Sequence, residues 1–388
     1  MNVVSLPASD STLKGRRIVF VLFNLELGGA ERQALILAKH LVEHEQAAVE
    51  ILGFNKTGPV ADMCEQLGVP WRLDSFPFNG SRVDQLDGFE RIATSLQRTR
   101  PDILLPYTFV PNVICGLVWR QTGARTCVWN QRDEGVTPFV SEWERSAADR
   151  TPVFVSNSAV GAQFLVRKLG VDSARVRIIE NGIEQLVPQS DRLSWRARLG
   201  IDDDAFVACM IANLHANKDH PTLLRAWRRV IDRLNGGKAV LVLAGRHDGA
   251  YESLASLSGE LNLNGQVRFA GQVLDVPGLL SAADVGVFSS FIEGCPNGVL
   301  ESMAAGLAVA GTNIDAVRSL VGPAGVRFLA PPKDDEALAE AILKLANDSE
   351  LRVTLGAENQ RRVQEKYTAA RMCESTVGVI KEALSNVL

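Results

Sequence analysis

The chain has 388 residues, more than one hydrophobic core usually organises, so two domains are expected. An apolar share of 46% beside 22% charged residues is that of a globular protein, and a formal net charge of -4 carries no overall electrostatic footprint for nucleic acid. Six cysteines (Cys64, Cys115, Cys127, Cys209, Cys295, Cys373) are scattered without metal-ligand or redox spacing, the usage of a reducing cytoplasm, and read as packing groups.

Residues 1–14 lack a basic start and a long apolar run and are expected to form a loose tail rather than an export signal. Short β-branched runs then alternate with amphipathic segments: RRIVFVLF, AERQALILAKHLVEH, AAVEILGF, a helix-like stretch, PDILLPY, RTCVWNQ, TPVFVSNS and RVRIIENGI. That rhythm predicts parallel strands joined by crossover helices. In the first helix Ala34, Leu37, Ala38, Leu41 and Val42 recur at i, i+3, i+4, i+7 and i+8, one stripe to lay on a sheet. The apolar window ILLPYTFVPNVICGLVW holds two prolines and predicts a buried strand and helix rather than a membrane span.

The segment EQLVPQSDRLSWRARLGIDDDA interrupts the alternation, which restarts at FVACMIAN and runs through AVLVLAG, QVRFAGQ, ADVGVFS, LAVAGT and VRFLAP. The predicted fold class is therefore α/β, with a Rossmann-like doubly wound domain over 15–186 and a second over 187–365. A final helix over 366–388 is expected to brace the first domain, and EQLVPQSDR is the expected hinge. Two such sheets facing each other would put their strand ends on a shared cleft, so function is sought in the loops that follow strands.

Three of those loops carry chemistry. In NLELGGAER, Gly28 and Gly29 precede a helix whose N-terminus suits a phosphate or sugar hydroxyls, although a plain tight turn explains them equally. In ANLHANKDHPTLLRAW, Lys218 precedes a helix with Asp219 as N-cap, and a cation at the positive end of a helix dipole makes sense where an anion joins it; a solvated lysine is the alternative. His215 and His220 read as hydrogen-bonding loop residues. In FIEGCPNGVLESMAAG, Glu293 precedes the turn beside the amides of Gly294 and Cys295, where it suits the hydroxyls of a sugar. Glu301 points back along its helix, and a carboxylate, which only accepts, fits a ribose diol.

At these residues the chain resembles the glycosyltransferase family 4 type of retaining, nucleotide-sugar-dependent transferase with the GT-B fold. The likeness covers GGAER, VSNSA, ENGIE, the ANL…NKDH segment, VRFAG and EGCPNGVLESMAAG with its Glu, seven residues, Glu spacing. It implies that Glu293 contacts the donor sugar, Glu301 the ribose, Lys218 the diphosphate, and Gly28 and Gly29 the donor phosphate or the acceptor. It further implies that the amides of Asn297 and Gly298 lie near the phosphates, with Val299 in the same turn, and that the backbone around Arg268 lies near the base.

Two departures stand out. An arginine frequent in the family five residues before the lysine is here Asn213, with Arg246 as a substitute. A frequent first-domain histidine is absent from WNQRDEG, where Asn130 is expected to bond a sugar hydroxyl and Arg132 to offset leaving-group charge.

The resemblance implies transfer of a hexose with retention from a nucleoside diphosphate sugar, UDP-linked or GDP-linked, to a glycan or lipid-linked acceptor of a bacterial surface polysaccharide. No cofactor and no metal are expected, and no nucleic-acid partner. The expected place is the cytoplasm, with peripheral contact at the inner membrane face. The alternatives are a nucleotide-sugar epimerase on the same fold and a non-catalytic sugar-nucleotide-binding partner protein.

Overall fold

The computed structural model describes residues 12–135, 141–185, 187–234 and 238–385. It divides into two compact units, the first running to Gly182 and resuming at Ala369, the second spanning Ile183–Thr368. The expected N-terminal tail lies almost wholly outside the described residues.

The first unit runs β1 (Arg17–Leu22), α1 (Gly29–Glu43), β2 (Ala48–Gly53), α2 (Pro59–Leu67), β3 (Trp71–Leu73), α3 (Arg82–Thr99) and β4 (Ile103–Pro106). It continues with α4 (Phe109–Val118), β5 (Thr126–Gln131), α5 (Glu142–Arg150), β6 (Val153–Ser156), α6 (Ala159–Arg167) and β7 (Val176–Ile178). The strands form one parallel sheet in the order β3-β2-β1-β4-β5-β6-β7. Successive residues of β1 explain its continuous apolar sequence. Ile18, Phe20 and Leu22 join the core that holds Leu37, Ala38 and Leu41 of α1, whereas Val19 and Val21 join the opposite core with Ile92 and Ile114. Both faces are covered, so alternation has no polar partner to show.

β3 is absent from the predicted elements. Its three residues are half-buried or exposed, too short and too polar for a periodic signal.

The second unit runs α7 (Arg192–Leu199), β8 (Phe206–Ile211), α8 (His220–Arg233), β9 (Ala239–Ala244), α9 (Tyr251–Glu260), β10 (Val267–Gly271), α10 (Val276–Ser281) and β11 (Val285–Phe288). It closes with α11 (Asn297–Ala304), β12 (Val309–Thr312), α12 (Asp315–Gly325), β13 (Leu329–Ala330), α13 (Asp335–Asn347) and α14 (Ser349–Lys366). Its sheet has the order β10-β9-β8-β11-β12-β13. The strand expected over VRFLAP shrinks to two residues, because a 3₁₀ turn occupies Val326–Phe328.

The last helix, α15 (Ala369–Ser385), belongs to the first unit. Met372, Cys373, Val377, Ile380 and Leu384 pack into the core shared with α1, and Lys381 pairs with Glu45 at 2.9 Å.

Candidate functional site

In open parallel sheets the crevice for a ligand opens where the strand order reverses direction, beyond the strand C-termini. In the second unit that point lies between β8 and β11. The loops that follow these two strands are 212–219 and 289–296, which hold Lys218 and Glu293. Lys218 Nζ donates to Glu293 Oε1 at 2.5 Å, with the side chains 24% and 11% exposed, and the ammonium lies 5.6 Å from the centroid of the Phe288 ring. Ser290 Oγ sits 2.7 Å from the same carboxylate oxygen and 2.8 Å from the Asn217 carbonyl, and Ser289 Oγ bonds the Lys218 carbonyl at 3.0 Å. Two buried serines thus tie the two loops together. Nothing in the sequence singled them out, since a serine after a strand is ordinary turn chemistry.

The helix beneath this pair begins unusually. Asp219 occupies the N-cap position of α8 with φ +39° and makes no capping bond with its side chain. Its Oδ2 is buried without a hydrogen-bond partner among the described residues, and burial pushes its carboxyl up. His220 is 1% exposed and both ring nitrogens lack partners among the described residues. Burial, with Lys218 adding to it, lowers the imidazole to about 4, so the ring is neutral. The hydrogen-bonding role expected for His220 is therefore corrected, whereas His215 does accept from the Asn217 amide, at 3.3 Å.

Asn213 Oδ1 accepts from the Arg246 amide at 3.1 Å, and the Leu214 amide donates to the Arg246 carbonyl at 2.8 Å. The loops after β8 and β9 therefore run side by side, which brings Arg246 next to the position that lacks an arginine. Its Nη2 meets Asp248 at 3.2 Å. A side chain on Gly245 would meet the Ala212 carbonyl oxygen at 2.1 Å, so this approach requires glycine.

Helix α11 starts at Asn297 behind Pro296, and a Cβ on Gly298 would lie 2.0 Å from the Ile211 carbonyl oxygen. Glycine thus lets the helix N-terminus press against the end of β8. Gly294 and Cys295 are buried in the preceding turn. Val299 is corrected: its amide donates to the Pro296 carbonyl at 3.2 Å and its side chain lies in the core, leaving nothing for a ligand. Glu301 is half-buried next to β8; burial, with the Glu301 charge adding to it, raises the Cys209 thiol to about 12. Arg268 turns its side chain away, donating to the Leu199 carbonyl at 2.8 Å and the Gly200 carbonyl at 3.2 Å. Its guanidinium finishes α7, and only its backbone remains for a base.

In the first unit the order reverses between β1 and β4. Gly28 follows β1 with φ -122° and ψ -172°, an extended conformation open to any residue, so the sharp glycine turn expected there is corrected. What crowds Gly28 is the Glu31 carboxylate, 2.5 Å from where a Cβ would stand. Gly29 is the first residue of α1. Gln33, completely buried, exchanges two hydrogen bonds with Gly182, at 2.9 and 3.0 Å, and pins the ENGI loop.

Asn130 is also corrected. It is completely buried, its Nδ2 donates to the Val128 carbonyl at 3.0 Å, and its Oδ1 accepts from Arg132 at 3.1 Å. It holds Arg132 and is not exposed to a sugar. Arg132 follows β5, is 8% exposed, and lies with its guanidinium carbon 4.8 Å from the centroid of the Tyr107 ring.

Against known proteins, residues 27–185 match the model described as Glycosyltransferase Family 4, and residues 191–362 match that described as Glycosyl transferases group 1. The UDP-Gal:alpha-D-GlcNAc-diphosphoundecaprenol alpha-1,3-galactosyltransferase of Escherichia coli is 21% identical over 84% of this chain and 87% of its own. A D-inositol 3-phosphate glycosyltransferase of Corynebacterium jeikeium is 27% identical over 55% of this chain and 53% of its own, about half the length of that relative. Among solved structures, Anabaena HepE in complex with UDP and glucose superimposes with a TM-score of 0.81 at 20% identity, covering 96% of this chain and 100% of that one. With one family model over most of each unit, the chain belongs to the group 1, family 4 glycosyltransferases.

Proposed function

We propose that this protein is a retaining hexosyltransferase that moves a sugar from a nucleoside diphosphate donor, UDP-linked before GDP-linked, to an acceptor hydroxyl. The observation that carries the reading is the Lys218–Glu293 pair at the strand reversal of the second unit, beside the N-terminus of α11. Without a ligand the two charges neutralise each other. A donor replaces that contact on both sides: its diphosphate takes the Lys218 ammonium and the first amides of α11, and its sugar hydroxyls take the Glu293 carboxylate held by Ser290. Glu301 accepts from the ribose diol.

In the reaction the bond from the anomeric carbon to the phosphate oxygen breaks and a bond from that carbon to the acceptor oxygen forms. The acceptor proton passes to the leaving phosphate on the same face. The chain's part is to stabilise the charge growing on that phosphate, through Lys218 and the helix N-terminus. Lys218 and the α11 amides supply that charge stabilisation within the chain, so activity in EDTA is part of the reading.

UDP bound in HepE and the UDP-galactose donor of the Escherichia coli relative favour the uridine donor, and a surface-glycan acceptor at the cytoplasmic membrane face is in keeping with that relative's lipid-linked acceptor. No helix among the described residues is long and apolar enough to cross a membrane.

Glu293→Gln tests the reading. Turnover of UDP-sugar with acceptor should fall by about 10²–10³, as for loss of one transition-state contact, while calorimetric UDP affinity stays within a few-fold. Unchanged turnover would remove Glu293 from the donor site. Turnover of donor in the absence of any acceptor, to an epimeric sugar, would favour the epimerase instead.

A further inference from the structure

We infer that Arg132 recognises an anionic substituent, a phosphate or a carboxylate, on the molecule that occupies the crevice of the first unit. The inference rests on the reading above only in calling that molecule the sugar acceptor.

Position comes first. Tyr107 directly follows β4 and Arg132 directly follows β5, at the strand C-termini next to the reversal between β1 and β4. The guanidinium lies over the Tyr107 ring, and the end of β5 is braced by Asn112 of α4, which donates to the Asn130 carbonyl at 2.8 Å and accepts from its amide at 3.0 Å.

Charge balance comes second. Arg132 donates to Asn130 Oδ1 at 3.1 Å, Tyr107 Oη at 3.3 Å and Asn181 Oδ1 at 3.4 Å, three neutral acceptors at the long end of the range. Its Nε is buried with no acceptor among the described residues. The next carboxylate along the chain does not help, because Asp133 is held by Gln131 Nε2 at 2.5 Å and by the Gly135 amide at 2.9 Å. A buried cation ordinarily has an ionic partner, and a guanidinium edge with a free N-H fits the two oxygens of a carboxylate or phosphate.

A second side chain is also half used. Asn157, 2% exposed, donates through Nδ2 to the Arg132 carbonyl at 3.1 Å, while its Oδ1 has no donor among the described residues. The adjacent loops after β5 and β6 thus offer a donor for an anion and an acceptor for a hydroxyl, neither of them used among the described residues.

The experiment is calorimetric titration of the full chain with glucose 1-phosphate, methyl glucuronide and methyl glucoside, for wild type, Arg132→Gln and Arg132→Lys, with UDP titrated in parallel. One of the two anionic probes should bind at least about tenfold more tightly than methyl glucoside, the size of a charged hydrogen-bonded contact, and which one it is assigns phosphate or carboxylate. Arg132→Gln should abolish that advantage. Arg132→Lys, which keeps the charge without the fork, should reduce it about threefold or more, and it carries the test if the glutamine variant does not fold.

Equal binding of all three probes, or an advantage unchanged in both variants, overturns the inference. A matching loss of UDP affinity in Arg132→Gln also overturns it, by placing Arg132 on the leaving group. A preserved anion preference in a protein that transfers no sugar would sink the acceptor reading and leave the anion site standing.

Discussion

Among the described residues two arginines are withdrawn from water, Arg196 at 0% and Arg132 at 8% exposure, and they are treated in opposite ways. Arg196, in α7, donates to the carbonyls of Ala282, Asp202, Asp203 and Ala205 and to Asp284 Oδ2, so every nitrogen of its guanidinium has an acceptor. Among the described residues Arg132 meets three neutral groups and leaves Nε unmet. Saturation marks the first as a structural tie between α7 and the sheet, and its lack at Arg132 is what the proposed anion site rests on. The Lys218–Glu293 pair lies between these extremes, satisfied by an ion pair that, in the proposed function, the donor displaces.

The largest expected effect is at Arg196. Arg196→Met leaves Asp284 with Arg192 and the Val207 amide and strands four carbonyls, so a loss of about 3–5 kcal/mol is expected in chemical denaturation. Arg132→Gln should cost less, about 1–3 kcal/mol, because the partners it leaves, Asn130, Tyr107 and Asn181, are neutral and no ion pair is broken. Losses of equal size would erase the distinction.

A smaller effect concerns His220. Burial depresses its pKa from 6.5 to about 4, so between these values the unfolded chain binds the proton and the native chain does not. Its contribution to stability is therefore complete above about pH 6.5 and lost as pH falls toward 4, amounting to on the order of 3 kcal/mol. Asp219, pushed up, works in the opposite sense and gains stability as pH falls through its folded pKa. Thermal unfolding of His220→Phe across this range should show a flatter acid limb than wild type. An identical limb would mean that other groups control it.

The smallest expected effect is at Asp219. A non-glycine residue at φ +39° carries backbone strain. Asp219→Gly should raise stability by about 1 kcal/mol, measured by denaturant midpoint. A decrease would show that the buried carboxylate has a native partner worth more than the strain.

The sheets and the two charged loops were legible because they rest on local signals: β-branched runs, amphipathic stripes, and Gly-Cys-Pro-Asn-Gly punctuation between Glu293 and Glu301. What escaped depends on the path of side chains in space. Asn130 looked available from its place at a strand end, yet Arg132 two residues later folds back and consumes it. Arg268 lies in β10, whose backbone was expected near a base, and its guanidinium goes instead to the carbonyls that end α7. Val299 shares a turn with Asn297 and Gly298, and helical rotation alone sends it into the core. Ser290 and Gln33 carried no signal, since their roles need a partner distant in sequence; for Gln33 that partner is Gly182.

The proposed function requires the second unit to hold a nucleoside diphosphate at the β8–β11 reversal without help from metal. Calorimetric titration of UDP and GDP in EDTA, into wild type and Glu301→Ala, addresses it most directly. Binding of one nucleotide that weakens by about 10–100-fold in the variant, the value of a charged hydrogen bond to the ribose, is the predicted result. No binding of either nucleotide to the wild type, or an affinity unchanged by the loss of Glu301, would contradict it.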